Sequence, residues 1–429
     1  MKTHDLTFAS RPKLSIPHAL TYGSKDIGFS PYGEHWRQMR SIAVVHLLNS
    51  KRVQSFRHVR EQETRVMIDT IGKSCRLVID LGKMLNLLAN NIICRVTLGR
   101  TYEGEKFHEL LGRFTYILGL FSFGNYIPWL SWVDRLSGLE AKMKKIAEEV
   151  DEFLEGIIEE HISKKRRMHG YGNKNENENE NDKGHDLVDV LLDVQTENNT
   201  NNFILHRDAI KATIMDIFAA GTDTTSTTIE WAISELIRHP RVMKKLQKEV
   251  SEIGQGKPMI TEDDLAQMTY LHVVLKEVLR LHTPLPLLIA RESTQDVKLM
   301  GYDISAGTQV IINAWAIGRD PSRWEGHDKF SPERFLNNCI DYKGLDFEFI
   351  PFGAGRRVGV FIGSVNDLFD LFGSFAIVVS ELALANLVYK YDIVALKETN
   401  TQELDMSEIT GLTLHRKSPL LAVATSHFE

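Results

Sequence analysis

The sequence predicts a mainly α-helical protein with a few small β-sheets, and three observations carry that expectation. Apolar residues recur at three- and four-residue spacing through most of the chain. Strand-like runs are short and cluster late. The composition, 43% hydrophobic and 25% charged over 429 residues, is that of a globular protein able to bury a large core.

Helical spacing covers residues 36–48, 53–73, 139–165, 208–238, 241–253, 262–282 and 375–389. Start and stop signals agree. Pro240 closes the helix before it, and Thr261 is followed by Glu262, Asp263 and Asp264, which puts acids in a first turn. Strands are expected over 297–300, 309–312 and 420–424. Residues 166–186 are a low-complexity tract rich in alternating Asn and Glu. Such a tract cannot bury apolar surface, so it predicts a flexible loop between helices. The chain 1–429 then reads as a single domain.

Bulk properties exclude several function classes. The balance of 51 basic and 57 acidic residues gives a net charge of −6, so no nucleic-acid partner is expected. Cys75, Cys94 and Cys339 are scattered and form neither a disulfide framework nor a CxxC metal pair, which suits a reducing compartment. The 16 histidines show no HExxH or other compact ligand spacing. The polar start at Met1 is not a signal peptide. No run reaches the ~20 apolar residues of a membrane span. Residues 371–388 are apolar but carry Glu381 and Asn386, and so read as a buried helix. Between residues 114 and 132 lie Tyr116, Phe121, Phe123, Tyr126, Trp129 and Trp132. Burial preferences favour a core role for most of these; the alternative is a surface that touches a bilayer or lines a ligand channel.

Five short motifs carry the chemistry. Trp36 and Arg40 are four apart, hence on one helix face. There they form either an amphipathic stripe or a donor–cation clamp for a carboxylate. Ala220-Gly221-Thr222-Asp223-Thr224-Thr225 interrupts a helical run with poor interior helix formers. It is either a packing notch or an acid beside an alcohol, as proton delivery requires. Glu277 and Arg280 share a helix face, and Arg334 of Pro332-Glu333-Arg334-Phe335 is a third partner that turns a common ion pair into a buried network. Pro351-Phe352-Gly353-Ala354-Gly355-Arg356-Arg357 is a glycine-rich loop with a basic end, and Arg291 is a further candidate clamp.

In this order and spacing the motifs resemble the cytochrome P-450 superfamily, most closely its plant A-type microsomal enzymes; residues 281–288 and 313–321 are also typical of that group. The resemblance implies a cytochrome P-450 fold and a haem-dependent monooxygenase. Such an enzyme inserts one atom of O₂ into a small apolar metabolite, here of the terpenoid or phenylpropanoid class. Its electrons come from NADPH through a cytochrome reductase on the cytosolic face of the endoplasmic reticulum. Carried over position by position, Trp36, Arg40, Arg291 and Arg357 would contact the haem propionates. Asp223 and Thr224 would relay protons, and Glu277, Arg280 and Arg334 would lock the fold. Residues 217–220, 286–288 and 409–412, among them Ile217, Ala220, Leu287, Leu288, Ile409 and Leu412, would face substrate.

The sequence departs from the family pattern in two places. It starts late, without the family's anchor, hinge and first strands, so only peripheral membrane contact is expected. More consequentially, Gly359 stands where the family has the cysteine whose thiolate ligates haem iron, and residues 359–373 replace the rest of that loop. The pattern resumes at Ser374. Cys339 precedes the whole loop, and Asp367 or Asp370 could approach a metal without supplying a thiolate. A change so confined resembles a retained intron or misplaced splice site more than gradual decay. Two readings follow: a haem-thiolate monooxygenase represented by an altered message, or an inactive relative without haem-thiolate chemistry. The acid–alcohol pair argues against a third, a relative that rearranges peroxides.

Overall fold

The computed structural model describes residues 2–47, 49–102, 105–170, 185–198, 204–358, 373–396, 404–409 and 411–427. The apolar spacing becomes a stack of helices. The longer ones are α1 (Glu34–Ile42), α2 (Arg57–Lys73), α3 (Leu81–Leu98), α4 (Glu105–Leu118), α5 (Leu139–Gly170) and α6 (Leu187–Asn198). They continue with α7 (Arg207–Gly221), α8 (Asp223–Arg238), α9 (Pro240–Ile253), α10 (Thr269–Leu281) and α11 (Gly373–Lys390). α8 is central and packs on α3, α10 and α11. Its Trp231 is wholly buried, donates to the Leu414 carbonyl at 2.8 Å and stacks on the His282 ring at 4.1 Å.

Local chemistry explains where the helices begin and end. α1 buries Trp36, Met39 and Ile42, one face at three-residue spacing, then widens into a π-helical turn over Ala43–Leu47. The helix expected over 53–73 is two: Ser50–Ser55 and then α2, with Phe56 between them outside the helical region. That over 262–282 also divides, because Thr261 and Asp264 close a capping box on the short helix Glu262–Leu265 before α10 begins. α3 was not foreseen, since it is apolar around most of its circumference and shows little periodicity. Asp80 caps it by accepting from the Lys83 N–H, and Gly99 ends it in the left-handed region.

The loop expected over 166–186 is shorter than the composition suggested. α5 continues through residue 170, because a long helix carries a polar extension at little cost; residues 171–184 lie outside the described residues. The replaced loop likewise falls outside them from 359 to 372, and Gly373 opens α11.

Among the described residues four small antiparallel sheets complete the fold. β1 (Val78–Asp80), β9 (Leu421–Ser426) and β6 (Tyr391–Ala395) form one with β9 central, in the register Ile79↔Ala422 and Ile393↔Ala424. The others pair β2 (Arg291–Glu292) with β5 (Gln309–Val310), β3 (Val297–Leu299) with β4 (Tyr302–Ile304), and β7 (Glu408–Ile409) with β8 (His415–Arg416).

Candidate functional site

The loop from Pro351 to Arg357 owes its shape to two glycines. Gly353 and Gly355 have φ of +82° and +68°, a region closed to most side chains. A Cβ on Gly355 would lie 2.2 Å from Asp5 Oδ1, and the next N–H, of Arg356, donates to both Asp5 oxygens at 3.1 Å. The loop turns Arg357 inward. A cavity lies beside it, walled by the end of α7, the start of α8, residues 284–291, Phe352 and Gly353, the first turn of α11, and Leu412 with Thr413.

One wall of this cavity is cationic. Arg11, Arg291 and Arg357 are buried and line it together. Arg357 donates to the carbonyls of Ala9 (2.6 Å), Ser30 (2.6 Å) and Ile27 (3.3 Å). Arg291 reaches Ala354 O at 2.7 Å, and Arg11 reaches Gly28 O at 3.0 Å and Ile289 O at 2.6 Å. Burial first, then Arg291, pulls Arg357 below its ordinary pKa; burial, then Arg357, does the same to Arg11. Carbonyl dipoles orient these cations, and Arg291 also has Asp5 Oδ1 at 4.0 Å. Trp36 does not line the cavity but sits against Arg357, whose guanidinium is 4.2 Å from its ring; that of Arg40, also outside the lining, is 5.5 Å away. Trp36 is 3% exposed, and its Nε1 has no acceptor among the described residues. A buried donor without a partner among the described residues, beside a wall of three buried guanidinia, fits an anion such as a carboxylate. Arg40 is less committed: it donates to the Arg356 carbonyl at 3.2 Å and stays partly exposed.

The opposite wall contains the helix interruption. α7 ends at Gly221 and α8 begins at Asp223, with Thr222 between them at φ −87°, ψ −65°. Thr224 lines the cavity and donates its hydroxyl to the Ala220 carbonyl at 2.5 Å. Asp223 is not among the residues that line it. Its Oδ2 lies 3.1 Å from Nε2 of His415 on β8, whose Nδ1 meets the Thr227 hydroxyl at 3.1 Å. Burial disfavours the charged imidazole, but the Asp223 carboxylate outweighs it and holds His415 above its ordinary pKa. The acid and the alcohol thus point to different surroundings, although adjacent in sequence.

Of the expected substrate-facing residues, Ala220, Leu288 and Leu412 line the cavity. Three do not. Leu287 and Ile409 are 49% and 50% exposed, the latter on the short two-stranded sheet β7–β8, and Ile217 is 1% exposed in the core. Leu412 is held close by a bare backbone: a Cβ on Gly119 would lie 2.3 Å from the Leu412 nitrogen.

The expected ion network is present and remote from the cavity. Glu277 and Arg280 are fully buried and pair twice at 2.8 Å; Arg334 Nε reaches Glu277 Oε1 at 3.1 Å. Arg280 also binds the carbonyls of Gly318 (2.6 Å) and His327 (2.7 Å).

Sequence reasoning missed three participants. Arg11 belongs to none of the five motifs. His415 is 192 residues from Asp223. Asp216 lines the cavity and accepts from the Ile27 N–H at 2.6 Å, beside buried Asp26; burial, then Asp26, raises its pKa well above the usual range. Only topology joins these residues.

The geometry fits the carboxylate edge of a haem, held by Trp36, Arg11, Arg291 and Arg357, with Arg40 flanking. It does not fit the iron. Cys75 is half-buried, Cys94 buried and Cys339 exposed, and none lines the cavity.

Comparison with known proteins accounts for the arrangement. The family model for cytochrome P-450 matches residues 1–422. A 3-beta-hydroxylase of Tanacetum parthenium is 51% identical over the whole chain and 81% of its own length. A norfluorocurarine oxidase of Strychnos is 48% identical over 98% of the chain and 80% of its own length. A zebra fish cytochrome P-450 solved with progesterone superposes with a TM-score of 0.78 over 98% of the chain and 89% of its own, at 24% identity, a likeness of fold. The chain belongs to the cytochrome P-450 family, among its plant members.

Proposed function

We propose that this chain is the scaffold of a plant haem monooxygenase whose cavity takes a small apolar metabolite of the terpenoid or phenylpropanoid class. Family membership makes it a monooxygenase of plant secondary metabolism. The observation that carries the finer reading is the cavity itself, apolar along Leu285, Leu288, Phe352 and Leu412 and cationic along one edge. Haem, when held with a thiolate, supplies the iron that activates dioxygen. This chain's residues would clamp its carboxylates, exclude water from the apolar side, and place the Thr224 hydroxyl where a proton is needed. Electrons would come from NADPH through cytochrome reductase.

On this reading the chain as written does not complete the iron site, since Gly359 replaces the cysteine. The alternative, an inactive relative that binds apolar ligands without haem-thiolate chemistry, is favoured by the same substitution. Location follows the family: the cytosolic face of the endoplasmic reticulum. Among the described residues no helix is long and apolar enough to cross a membrane. Tyr116, Phe121, Trp129 and Trp132 are exposed, and such a patch gives reversible membrane contact that carbonate extraction would remove.

The test is a repair. Residues 359–373 are replaced by Cys-Pro-Gly-Ile, and the protein is assayed with NADPH, reductase and a panel of both metabolite classes. Turnover is expected, and Thr224→Ala in that background should uncouple oxygen use from product with haem content unchanged. Haem uptake without turnover of any panel member would overturn the substrate class. Unchanged coupling would make Thr224 a packing residue.

A further inference from the structure

A second site lies away from the cavity, where α5 meets the start of α6. His161, Asp186 and Asp189 are all buried, and one donor atom from each lies within 4.8 Å of the others. His161 comes from the body of α5, while Asp186 immediately precedes α6 and Asp189 lies in its first turn. The histidines had suggested no metal ligand, because His161 and Asp186 are 25 residues apart.

The hydrogen bonds fix the histidine's role. Nδ1 of His161 faces the Ile157 carbonyl at 2.8 Å; a carbonyl only accepts, so Nδ1 carries a hydrogen. Nε2 then points at Asp186 Oδ2, 3.0 Å away. In the neutral ring two lone pairs would face each other, so a cation belongs between or beside them. Asp186 uses its other oxygen, Oδ1, to cap α6 by accepting from the Asp189 N–H at 2.9 Å. The Asp189 carboxylate is 4% exposed and has no hydrogen bond or ion pair among the described residues. Lys165 is near, but its ammonium is committed to the Asp189 backbone carbonyl (3.0 Å) and to Asp193 (2.7 Å).

We propose that His161, Asp186 and Asp189 bind a divalent transition-metal ion, with Zn²⁺ the best match, and that this ion ties α5 to the start of α6. His161 pairs with Asp186 alone, whereas a divalent ion would bind all three side chains. One imidazole and two carboxylates are a zinc donor set, and the fourth position is open to water or to half-buried His185, whose charge acts on Asp189. Tetrahedral donors about 2 Å from zinc are roughly 3.3 Å apart. The observed spacings of 3.0 Å and at most 4.8 Å bracket that value. The Nδ1–H to carbonyl bond is the outer support that metal-bound histidines need. Calcium is disfavoured, since it takes six or more oxygens.

The test uses the full chain, freed of metal by chelation, with Zn²⁺ or Co²⁺ as the probe. Other histidines and thiols also take up zinc, so the readout is the difference between wild type and variants. Asp189→Asn is the principal variant because it keeps the Asp186 cap; His161→Gln is the second. Wild type is expected to hold one more equivalent of Zn²⁺ than Asp189→Asn after gel filtration, or to bind it at least about tenfold more tightly. Its Co²⁺ form should show visible ligand-field bands that the variant lacks. In chelator the two proteins should melt together, and Zn²⁺ should raise the midpoint of wild type alone. Equal stoichiometry and affinity, or Co²⁺ spectra that do not change, would show that the cluster is an ion-paired helix cap and overturn the proposal. If His161→Gln fails to fold, the Asp189→Asn comparison decides.

Discussion

Trp36 Nε1 is a buried donor with no acceptor among the described residues, and Arg357 over its ring, like Arg11 and Arg291 of the same cationic wall, hydrogen-bonds to carbonyls. In the haem-free chain Trp36→Phe removes an unsatisfied group and keeps a ring beneath Arg357. Stability in urea should therefore be unchanged or higher by up to about 1 kcal/mol, while haemin affinity falls about tenfold. A loss of more than about 2 kcal/mol would mean that the indole N–H already has a partner. The contrast between Trp36 and Arg11 shows what sequence can carry at this scale. Trp36 and Arg40 announce themselves by a four-residue spacing. Arg11 reaches the same cavity from a segment with no periodicity, held by carbonyls some 278 residues away. Asp223 and Thr224 fail in the opposite way. The motif was legible, but one residue of helix rotation sends the acid to His415 and the alcohol to the cavity.

Single elements make two further claims testable. α11 was read as a buried helix despite Glu381, and burial pushes Glu381 up to about 8. His272 lies 3.3 Å from it and is lowered, by burial first and Lys276 second, so the contact joins a neutral acid and a neutral imidazole. A carboxyl raised in the folded state favours folding at low pH and loses that contribution as pH rises through its folded pKa. Wild-type stability should therefore fall between about pH 4.5 and pH 8 relative to Glu381→Gln and level off above that, followed by thermal unfolding; parallel curves would contradict this. α10 carries the other claim. Arg280→Ala leaves Glu277 buried with Arg334 as its one cation beside the Ser331 N–H, and frees the Gly318 and His327 carbonyls, while Lys329 O keeps Arg334. About 3–5 kcal/mol of stability should be lost, enough to compromise folding, and a cost near 1 kcal/mol would refute the network's structural role. The Glu–Arg pair was readable because partners three apart share a helix face. β1 and β6 were not readable, since each is a short strand whose pairing with β9 lies far away in sequence.

At the scale of the whole molecule, the fold class survived the loss of the loop that defines the family's chemistry. That is expected, because the core rests on α8, α3, α10 and α11, and the Glu277 network is built from residues of α10 and of the segment 318–334, none of them in the altered segment. Fold and cradle are thus encoded separately from the iron ligand. The central claim is that this chain keeps the carboxylate clamp and lacks the thiolate. It is tested most directly by the absorption spectrum of the reduced carbon monoxide complex after reconstitution with haemin, recorded for the chain as written and for the chain with residues 359–373 replaced by Cys-Pro-Gly-Ile. The account predicts that both take up haemin and that only the second shows the red-shifted Soret band of a thiolate complex. That band in the chain as written would mean that Cys339 or another thiol reaches the iron, and its absence from the repaired chain would mean that the cradle itself is broken.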